Sequence, residues 1–579
     1  MNMSYKKVTI LLVVIIALAA FSIYIPTLKS GFLWDDVQLI THPLKTSNNP
    51  YGFFFGSGLY YRPILHLFMA LDYSFWHLKP PGYHITNILL HILNSLLIFA
   101  VGIYLLKNKK MGSGGIPSFP FLAAMIFALH PIHTESVAWI SGRTDVLATL
   151  FFLLAFLSYL IYEKEEKTVG LFLSGFFFLC SLFSKENALS FIFVALAYGI
   201  VSKMPARKVL LSLLIFSLII VTYFFLRRGG MLNALMAPPG SKSAFFSLQI
   251  SFKNFFPILS GGVGYYIEKL ILPFNLNLMP QIPERPVYLL ISLLPFVFGV
   301  ILYFSERRLE VFLLTWIIVT MLPSLPILFS QVSNPIGERY LYLPSAGFAI
   351  LLAALVMNTE KKKTALVSIL AILIAYTIST HERLDAWKDE VTLWEDTVRK
   401  SPDSANALTN YGAALLAINK VDKAREELLI ALKQRKISAA HASAVLYLLG
   451  TVELKQNNYK KAEEYLINSL KTNPQNDLAY NNLGVVYMNT SRPTDTDARK
   501  KDDLGKAIKY LEQALRVSPG FLQPKYNLAL CYLKMGDFKR AKDYFNAVIE
   551  SDPLSDLSAG SVQHLLLMEF SKRYALKAI

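Results

Sequence analysis

Between residues 8 and 380 the chain runs again and again through apolar stretches approaching the length of a bilayer crossing, and beyond 380 it has none. A hydrocarbon core about 30 Å thick takes roughly 20 such residues as a helix. Lipid offers an open backbone no hydrogen-bond partner, so each run must become a helix that satisfies itself. The sequence therefore predicts an all-α, polytopic membrane domain over 1–380. It is followed by a separate domain over 381–579, rich in Lys, Glu, Asn and Ala. With 54% apolar residues and 40 Phe in 579, the composition lies outside the range of an ordinary soluble domain.

The first run, about 8–25, follows Lys6-Lys7 and shows no small-residue cleavage signature before Pro26, so it reads as an anchor with a cytoplasmic N-terminus. Further spans are expected near 83–106, 119–138, 144–162, 168–184, 188–202, 208–226, 286–304, 309–329, 340–357 and 364–380, about eleven in all. With this count Lys107–Lys110, Lys203–Lys208, Arg307-Arg308 and Lys361–Lys363 all face the cytoplasm, as the positive-inside rule asks, provided 250–275 does not cross. That stretch holds Gly261-Gly262, Glu268 and Lys269 and is expected to be an interfacial or re-entrant helix. Arg227-Arg228 is the exception, falling outside and standing as a candidate anion contact. The net charge of +17 is accounted for largely by such loops, and no nucleic-acid partner is expected. Two cysteines, one in a span and one in a repeat helix, make neither a disulfide framework nor a zinc site.

The loops opposite the cytoplasm collect the unusual polar residues: Asp35-Asp36, Tyr61-Arg62-Pro63, His130 and His133 with Glu135, Arg143 and Asp145, Lys185-Glu186, and Glu338-Arg339-Tyr340. Ionisable groups at membrane edges are costly unless they pair or serve a site, so their gathering on one side points to an outward-facing polar cavity. Each group also has a plain structural reading. The Asp pair could cap a helix, Lys185-Glu186 could be a hairpin tip, and Glu135, Arg143 and Asp145 could form an ion-paired cluster. His130 and His133 share a helical face but lack a third ligand, a weak metal signal.

After residue 380 a helical-hairpin repeat emerges. Leu449-Gly450, Ala462 and Pro474 mark one unit, and Leu483-Gly484, Tyr487, Ala507, Ala514 and Pro519 the next, with "SRPTDTDARKKDD" inserted between its helices. Leu528-Ala529, Tyr532, Ala541, Phe545 and Pro553 mark a third, while Gly412, Ala424 and Ala431 form a weaker one. Trp394 and Pro402 resemble a lone second helix docking the array. Small residues and terminal prolines at this period are the tetratricopeptide signature, and four units exceed the three needed for a shared core. The resulting α-solenoid presents a concave surface suited to an extended polypeptide, on the same side as the carboxylates in this topology.

"WDD", "YYRP", "GYHITNILLH", "HPIHTESVAWISGRTD", "SKENA" and "ERYLYLPS", followed by the repeats, resemble the transmembrane and tetratricopeptide-repeat-containing protein family over nearly the whole chain. That resemblance implies a C-type glycosyltransferase fold similar to protein O-mannosyltransferases. It also implies a sugar donor linked to a polyprenyl phosphate, such as dolichyl phosphate mannose. In related enzymes an acidic pair in the first external loop carries the catalytic base. The matching residues here are Asp35 and Asp36, an Asp-Asp in place of the Asp-Glu frequent in the mannosyltransferases.

On this basis Asp35 is expected to take the proton of an acceptor Ser or Thr hydroxyl while Asp36 orients the loop. Arg143, Lys185 and Arg339 are the candidates for the donor phosphate, with Glu135, Asp145 and Glu338 holding those cations and Arg62, His133 and Glu186 in support. Attack opposite the phosphate inverts the anomeric carbon. No nucleotide sugar, no covalent glycosyl-enzyme, no cofactor and no obligatory metal are expected. The alternatives are transfer to a lipid or glycan acceptor, and a non-catalytic scaffold recruiting partners through its repeats. "RYALKAI" lacks a retention signal, which favours a bacterial inner membrane with extracytoplasmic repeats over an endoplasmic-reticulum membrane with lumenal ones.

Overall fold

In the computed structural model, residues 3–40, 61–106, 118–235, 252–330, 335–434, 437–491, 497–552 and 555–577 are described, and among them every regular element is a helix. Lys107–Lys110 and Pro553 lie outside the described residues. Two compact units result, Met1–Lys400 and Ser401–Ile579.

The first unit contains α1 (Met3–Tyr24), α2 (Pro63–Trp76), α3 (Pro80–Leu106), α4 (Ser118–Leu129), α5 (Thr134–Ala138), α6 (Arg143–Glu165), α7 (Thr168–Leu182) and α8 (Phe191–Val201). These are followed by α9 (Ala206–Leu235), α10 (Phe252–Ile271), α11 (Val287–Phe304), α12 (Arg308–Met321), α13 (Tyr342–Met357), α14 (Lys362–Ala386) and α15 (Glu390–Lys400). Among the described residues eight helices are long and apolar enough to cross a membrane, or nine if α4 and the bent continuation through α5 count as one. The eleven spans expected from the sequence are not reached by this measure. Residues 119–138 bend by 50° at the His130–Pro131 break, where proline withholds an N–H, and the helices Thr168–Leu182 and Glu186–Val201 are shorter than a full crossing.

Helix α6 is the centre of this unit: 78% of its apolar core is enclosed, with α3 and α7 packed along it, whereas only 6% of α11 is covered. The polar side chains of α3 turn inward. Asn94 donates to the Val146 carbonyl (3.0 Å), Asn87 to those of Val137 (3.2 Å) and Trp139 (3.1 Å), and His91 meets the Tyr342 hydroxyl (2.8 Å). The outward faces are apolar, as Leu290, Phe296 and Phe304 of α11 illustrate, which is the inverse of a soluble protein and fits a membrane protein. Glu268 and Lys269, costly in lipid, are paired on α10 (2.8 Å), and Glu268 also accepts from the Tyr288 hydroxyl (2.6 Å).

The units part after Lys400, beyond the last apolar helix at Ala386, because α15 folds back on the first unit. Its Leu393 and Trp394 are buried, Asp396 pairs with Arg383 of α14, and Lys400 donates to the Leu276 carbonyl (2.7 Å).

The second unit stacks hairpins α16 (Ala405–Ala417) with α17 (Val421–Leu432), α18 (Ala439–Lys455) with α19 (Tyr459–Thr472), α20 (Asp477–Thr490) with α21 (Asp497–Val517) and α22 (Leu522–Lys534) with α23 (Phe538–Ser551), ending in α24 (Asp556–Lys577). The first helices start where a side chain can cap them. Ser404, Ser438 and Asn476 each accept from the N–H three residues on, at 3.2, 3.3 and 3.0 Å. Residues 497–503, expected in an inserted turn, instead lengthen α21 at its N-terminus, where their acidic and basic side chains suit an exposed helix. The small residues of the repeat are explained by approach distance. A Cβ on Gly450 would lie 2.7 Å from Leu466 Cγ, and one on Gly484 2.5 Å from Leu511 Cγ.

Replacing Gly484 by Val should therefore overpack the third hairpin, lowering stability by about 1–3 kcal/mol. The urea midpoint of the helical circular dichroism signal in detergent measures this, and an unshifted midpoint contradicts the close-approach account.

Candidate active site

The chain leaves α1 through a 3-10 turn, Ile25–Lys29, and runs extended to Leu33. There it is closed into a new helical turn by Asp36, whose N–H donates to the Leu33 carbonyl (3.0 Å) while its Oδ2 accepts from the Leu33 N–H (2.9 Å). The second of these bonds is one half of a capping box, the side chain of the third residue reaching back to the N–H that opens the turn. Asp36 Oδ1 accepts in addition from the Ser141 N–H (2.9 Å) and the Ser141 hydroxyl (2.5 Å). Asp36 is thus buried and fully engaged, while Asp35 beside it is exposed. Burial outweighs the hydrogen bonds from Ser141 and Leu33 and pushes the Asp36 carboxyl up to about 7. Asp35 is also held above the ordinary carboxylate range, by desolvation first, with Ser141 and Arg339 pulling the other way and Glu390 adding to the rise.

Trp34, one residue before the pair, has a left-handed backbone (φ 55°), a costly conformation for a bulky residue that the surroundings must impose. They do so from two sides. Its indole stacks on Trp139 (centroids 5.1 Å, 18°) and meets the edge of Trp394 (5.7 Å). Its N–H donates to Glu390, whose other oxygen accepts from the Trp394 indole N–H (2.6 Å).

Cations gather near the pair, each with a carboxylate. The Lys185 ammonium is shared between both Asp145 oxygens (2.6 Å each) and lies over the Tyr340 ring (4.9 Å). Burial brings its pKa down to about 8 against the pull of Asp145, with Arg62 and Arg339 near enough to contribute repulsion. Arg339 pairs with Glu135 through NH1, donates its backbone N–H to the same carboxylate (2.9 Å), and packs against Trp139 (5.5 Å) and Tyr340 (4.9 Å). Glu186 joins Arg62 (2.8 Å) to Arg227 of α9 (3.7 Å), so the arginine that breaks the positive-inside pattern belongs to this cluster.

Three expected site residues are placed elsewhere. Arg143 is wholly enclosed and spoken for, by Asp72 (2.7 Å), the Asn87 side chain (2.6 Å) and the Tyr83 carbonyl (2.9 Å), an arrangement that braces α2 and α3 against α6. Glu338 pairs with none of Arg143, Lys185 and Arg339; it accepts from the Tyr265 hydroxyl (3.0 Å) and the Asn277 N–H (2.6 Å), fixing the segment after α10. His133 bonds Ser345 (2.7 Å) in an aromatic nest of Phe127, His91 and Tyr342. Among the described residues no group of three or more His, Cys, Asp or Glu side chains could hold a metal ion. Ser141, Glu390 and Trp139 complete the site without having been singled out in the sequence. Ser141 lies inside "HPIHTESVAWISGRTD", whereas Glu390 is in no motif and only its fold position reveals it.

A polytopic helical membrane unit with an acidic pair facing a cation cluster, followed by a repeat solenoid, defines the class. Residues 447–495 and 498–560 match the tetratricopeptide repeat family. The chain is 25% identical to protein O-mannosyl-transferase TMTC3 of Homo sapiens, covering 95% of this chain and 65% of that protein. It is 27% identical to TMTC4 of Homo sapiens over 61% and 55% of the two chains, and 26% identical to protein O-mannosyl-transferase F38B6.6 of Caenorhabditis elegans over 68% and 58%. It thus spans less than two thirds of the length of these relatives. Among solved structures the MamA protein covers 28% of this chain at 21% identity and a TM-score of 0.23, a likeness that carries no argument here. The chain is a homologue of the TMTC-family protein O-mannosyl-transferases, with their tetratricopeptide repeats.

Glu390→Ala should release Trp34 and the Trp394 indole and cost about 1–3 kcal/mol of stability, the scale of hydrogen bonds lost to a charged acceptor. Thermal unfolding checks the cost, and near-UV circular dichroism of the stacked indoles should weaken in parallel. A variant with both signals unchanged contradicts the clamp.

Proposed function

We propose that this chain transfers a sugar, mannose, from a polyprenyl-phosphate donor to Ser or Thr hydroxyls of proteins, inverting the anomeric carbon. The observation that carries this reading is the division of labour in the acidic pair: Asp36 is consumed by Leu33 and Ser141, and Asp35 is the more exposed of the two, next to Arg339 and Ser141. An open carboxylate held above its ordinary range can accept a hydroxyl proton, which is what a general base must do.

In the proposed step the acceptor oxygen bonds to the anomeric carbon as the bond from that carbon to the phosphate oxygen breaks. The hydroxyl proton goes to Asp35, and the polyprenyl phosphate leaves carrying the electron pair. Phosphate is a good leaving group once its growing charge is met by preorganised cations, so no carboxylic acid is needed on the leaving side. Lys185 and Arg339 suit that task, the first as a point charge and the second as a planar fork. Asp145 and Glu135 keep both aimed. The repeats support a polypeptide acceptor, and the C-type glycosyltransferase fold with an extracytoplasmic site is the topology this reading requires.

The decisive assay is transfer of labelled mannose from polyprenyl-phosphate mannose to a Ser/Thr-rich peptide by the purified chain. Asp35→Asn should lower turnover by about 10²–10⁴-fold at an unchanged melting temperature, the usual contribution of a general base. Label on a lipid or glycan, or on nothing, overturns the protein-acceptor reading, the latter in favour of a scaffold.

A pH profile tests the cation independently. Lys185 is charged below about 8 and neutral above, so kcat/KM should fall as pH rises through that value. Lys185→Arg should move the alkaline limb upward, because a guanidinium does not deprotonate in this range.

A further inference from the structure

The tryptophan that precedes the acidic pair is not packed away. Of the six tryptophans, Trp139, Trp316, Trp387 and Trp394 are buried, whereas 37% of Trp34 is exposed. It is held firmly all the same, with its indole stacked on Trp139 and set at right angles to Trp394, and with its backbone N–H on Glu390.

Packing alone does not ask for this arrangement. A turn that needs φ near 55° takes Gly or Asn with little strain. A tryptophan there costs about 1–3 kcal/mol, and one kept only to fill space would be covered. Here the strain is retained and the indole stays open at the residue next to Asp35, which marks a side chain presented for contact rather than one stored in the core.

The neighbouring charges limit what the indole can receive. Asp35 is within electrostatic reach of Glu390, which raises its proton affinity, and of Arg339, which lowers it. A cation seated on Trp34 would act on Asp35 as Arg339 does and weaken it as a base, and an anion would face both carboxylates. A neutral apolar group does neither. Among such groups an aromatic ring gains most, because it adds a member to the cluster of Trp139, Trp34 and Trp394, and ring pairs are worth more than the area they bury. It also has few rotamers to lose on binding. The two cations assigned to the donor have an aromatic support of their own, since Lys185 and Arg339 each lie 4.9 Å from the Tyr340 ring. Trp34 adjoins the base instead, on the side where an acceptor hydroxyl must come.

We infer that Trp34 seats an aromatic side chain adjacent to the modified Ser or Thr of the acceptor polypeptide, so that this residue sets sequence preference, an inference that rests on the protein-acceptor reading above.

The test compares kcat/KM of the purified full chain for four peptides that differ only beside a single threonine: Phe before it, Phe after it, Ala on both sides, or Lys on both sides. Because Trp34 is a single platform beside the base, Phe on one side should exceed Ala by about three- to tenfold, with Phe on the other side and Lys no better than Ala. Trp34→Leu should bring the Phe-to-Ala ratio to about one, and Trp34→Phe should retain a preference. Taking the ratio cancels any loss shared by both peptides, including one from a displaced Asp35. Equal gains on both sides, a gain with Lys, or an unchanged ratio in Trp34→Leu overturn the inference. So does a Trp34→Leu variant whose only change is a raised KM for the donor, which would give the indole to the sugar. A second measurement needs neither turnover nor a variant: a peptide carrying p-benzoylphenylalanine beside the threonine is irradiated with the wild-type chain, and adducts mapped by mass spectrometry are expected within residues 31–37. Adducts confined to the repeats, or none, contradict the assignment. If no peptide receives sugar, the catalytic reading fails on its own, and the adduct pattern still decides this inference.

Discussion

A bilayer supplies no water to a backbone, so within it the chain must be helical, and every departure from helix has to be buried in protein or moved to an edge. The candidate site occupies such departures. Asp35 and Asp36 follow the break after α1, Ser141 lies between α5 and α6, Lys185 between α7 and α8, and Arg339 on the turn before α13. Non-helical segments expose N–H groups, and two of those N–H groups, at Leu33 and Ser141, converge on the single carboxylate of Asp36. The constraint that forces helices thus also concentrates polar chemistry where they stop.

Within that cluster the carboxylates do two kinds of work. Asp145, Glu135 and Glu186 each neutralise a cation, which lets Lys185, Arg339, Arg62 and Arg227 stand near one another despite their mutual repulsion. The acidic pair divides differently: Asp36 takes the N–H groups of Leu33 and Ser141, and Asp35 lies within electrostatic reach of Arg339.

Much of this could be read from the sequence because membrane helices are written in composition and repeats in periodicity. The all-α class, the repeats and the gathering of Asp35, Lys185 and Arg339 follow from patterns that lipid and close packing enforce. What could not be read depends on side-chain partners. Arg143, two residues from Asp145, has the same signature as Lys185, yet Asp72 from α2 reaches it first and makes it a brace. Glu338 adjoins Arg339, but neighbours on a 3-10 turn point apart, and Glu135 from a distant segment takes the arginine instead. Helix length was misjudged where hydropathy continued through a proline or stopped short of a full crossing, as at 119–138 and 168–184.

The strained Trp34 shows why the acidic pair needs more than its own motif. A left-handed tryptophan does not persist in an isolated loop, and the cost of about 1–3 kcal/mol has to be met by contacts that exist only in the folded unit. Those contacts come from two remote parts of the sequence: the 139–141 segment, with Trp139 stacked on the ring and Ser141 on the Asp36 carboxylate, and Glu390 with Trp394 from the helix after the last apolar span. Removing the strain by local substitution would swing Asp35 away from Arg339, since the turn at residue 34 sets the direction in which residue 35 leaves it. The geometry of Asp35 is therefore a property of the whole first unit, including α15, which composition alone assigns to the neighbouring domain. Because Glu390 both anchors this turn and raises the proton affinity of Asp35, the same side chain couples the position of the carboxylate to its basicity.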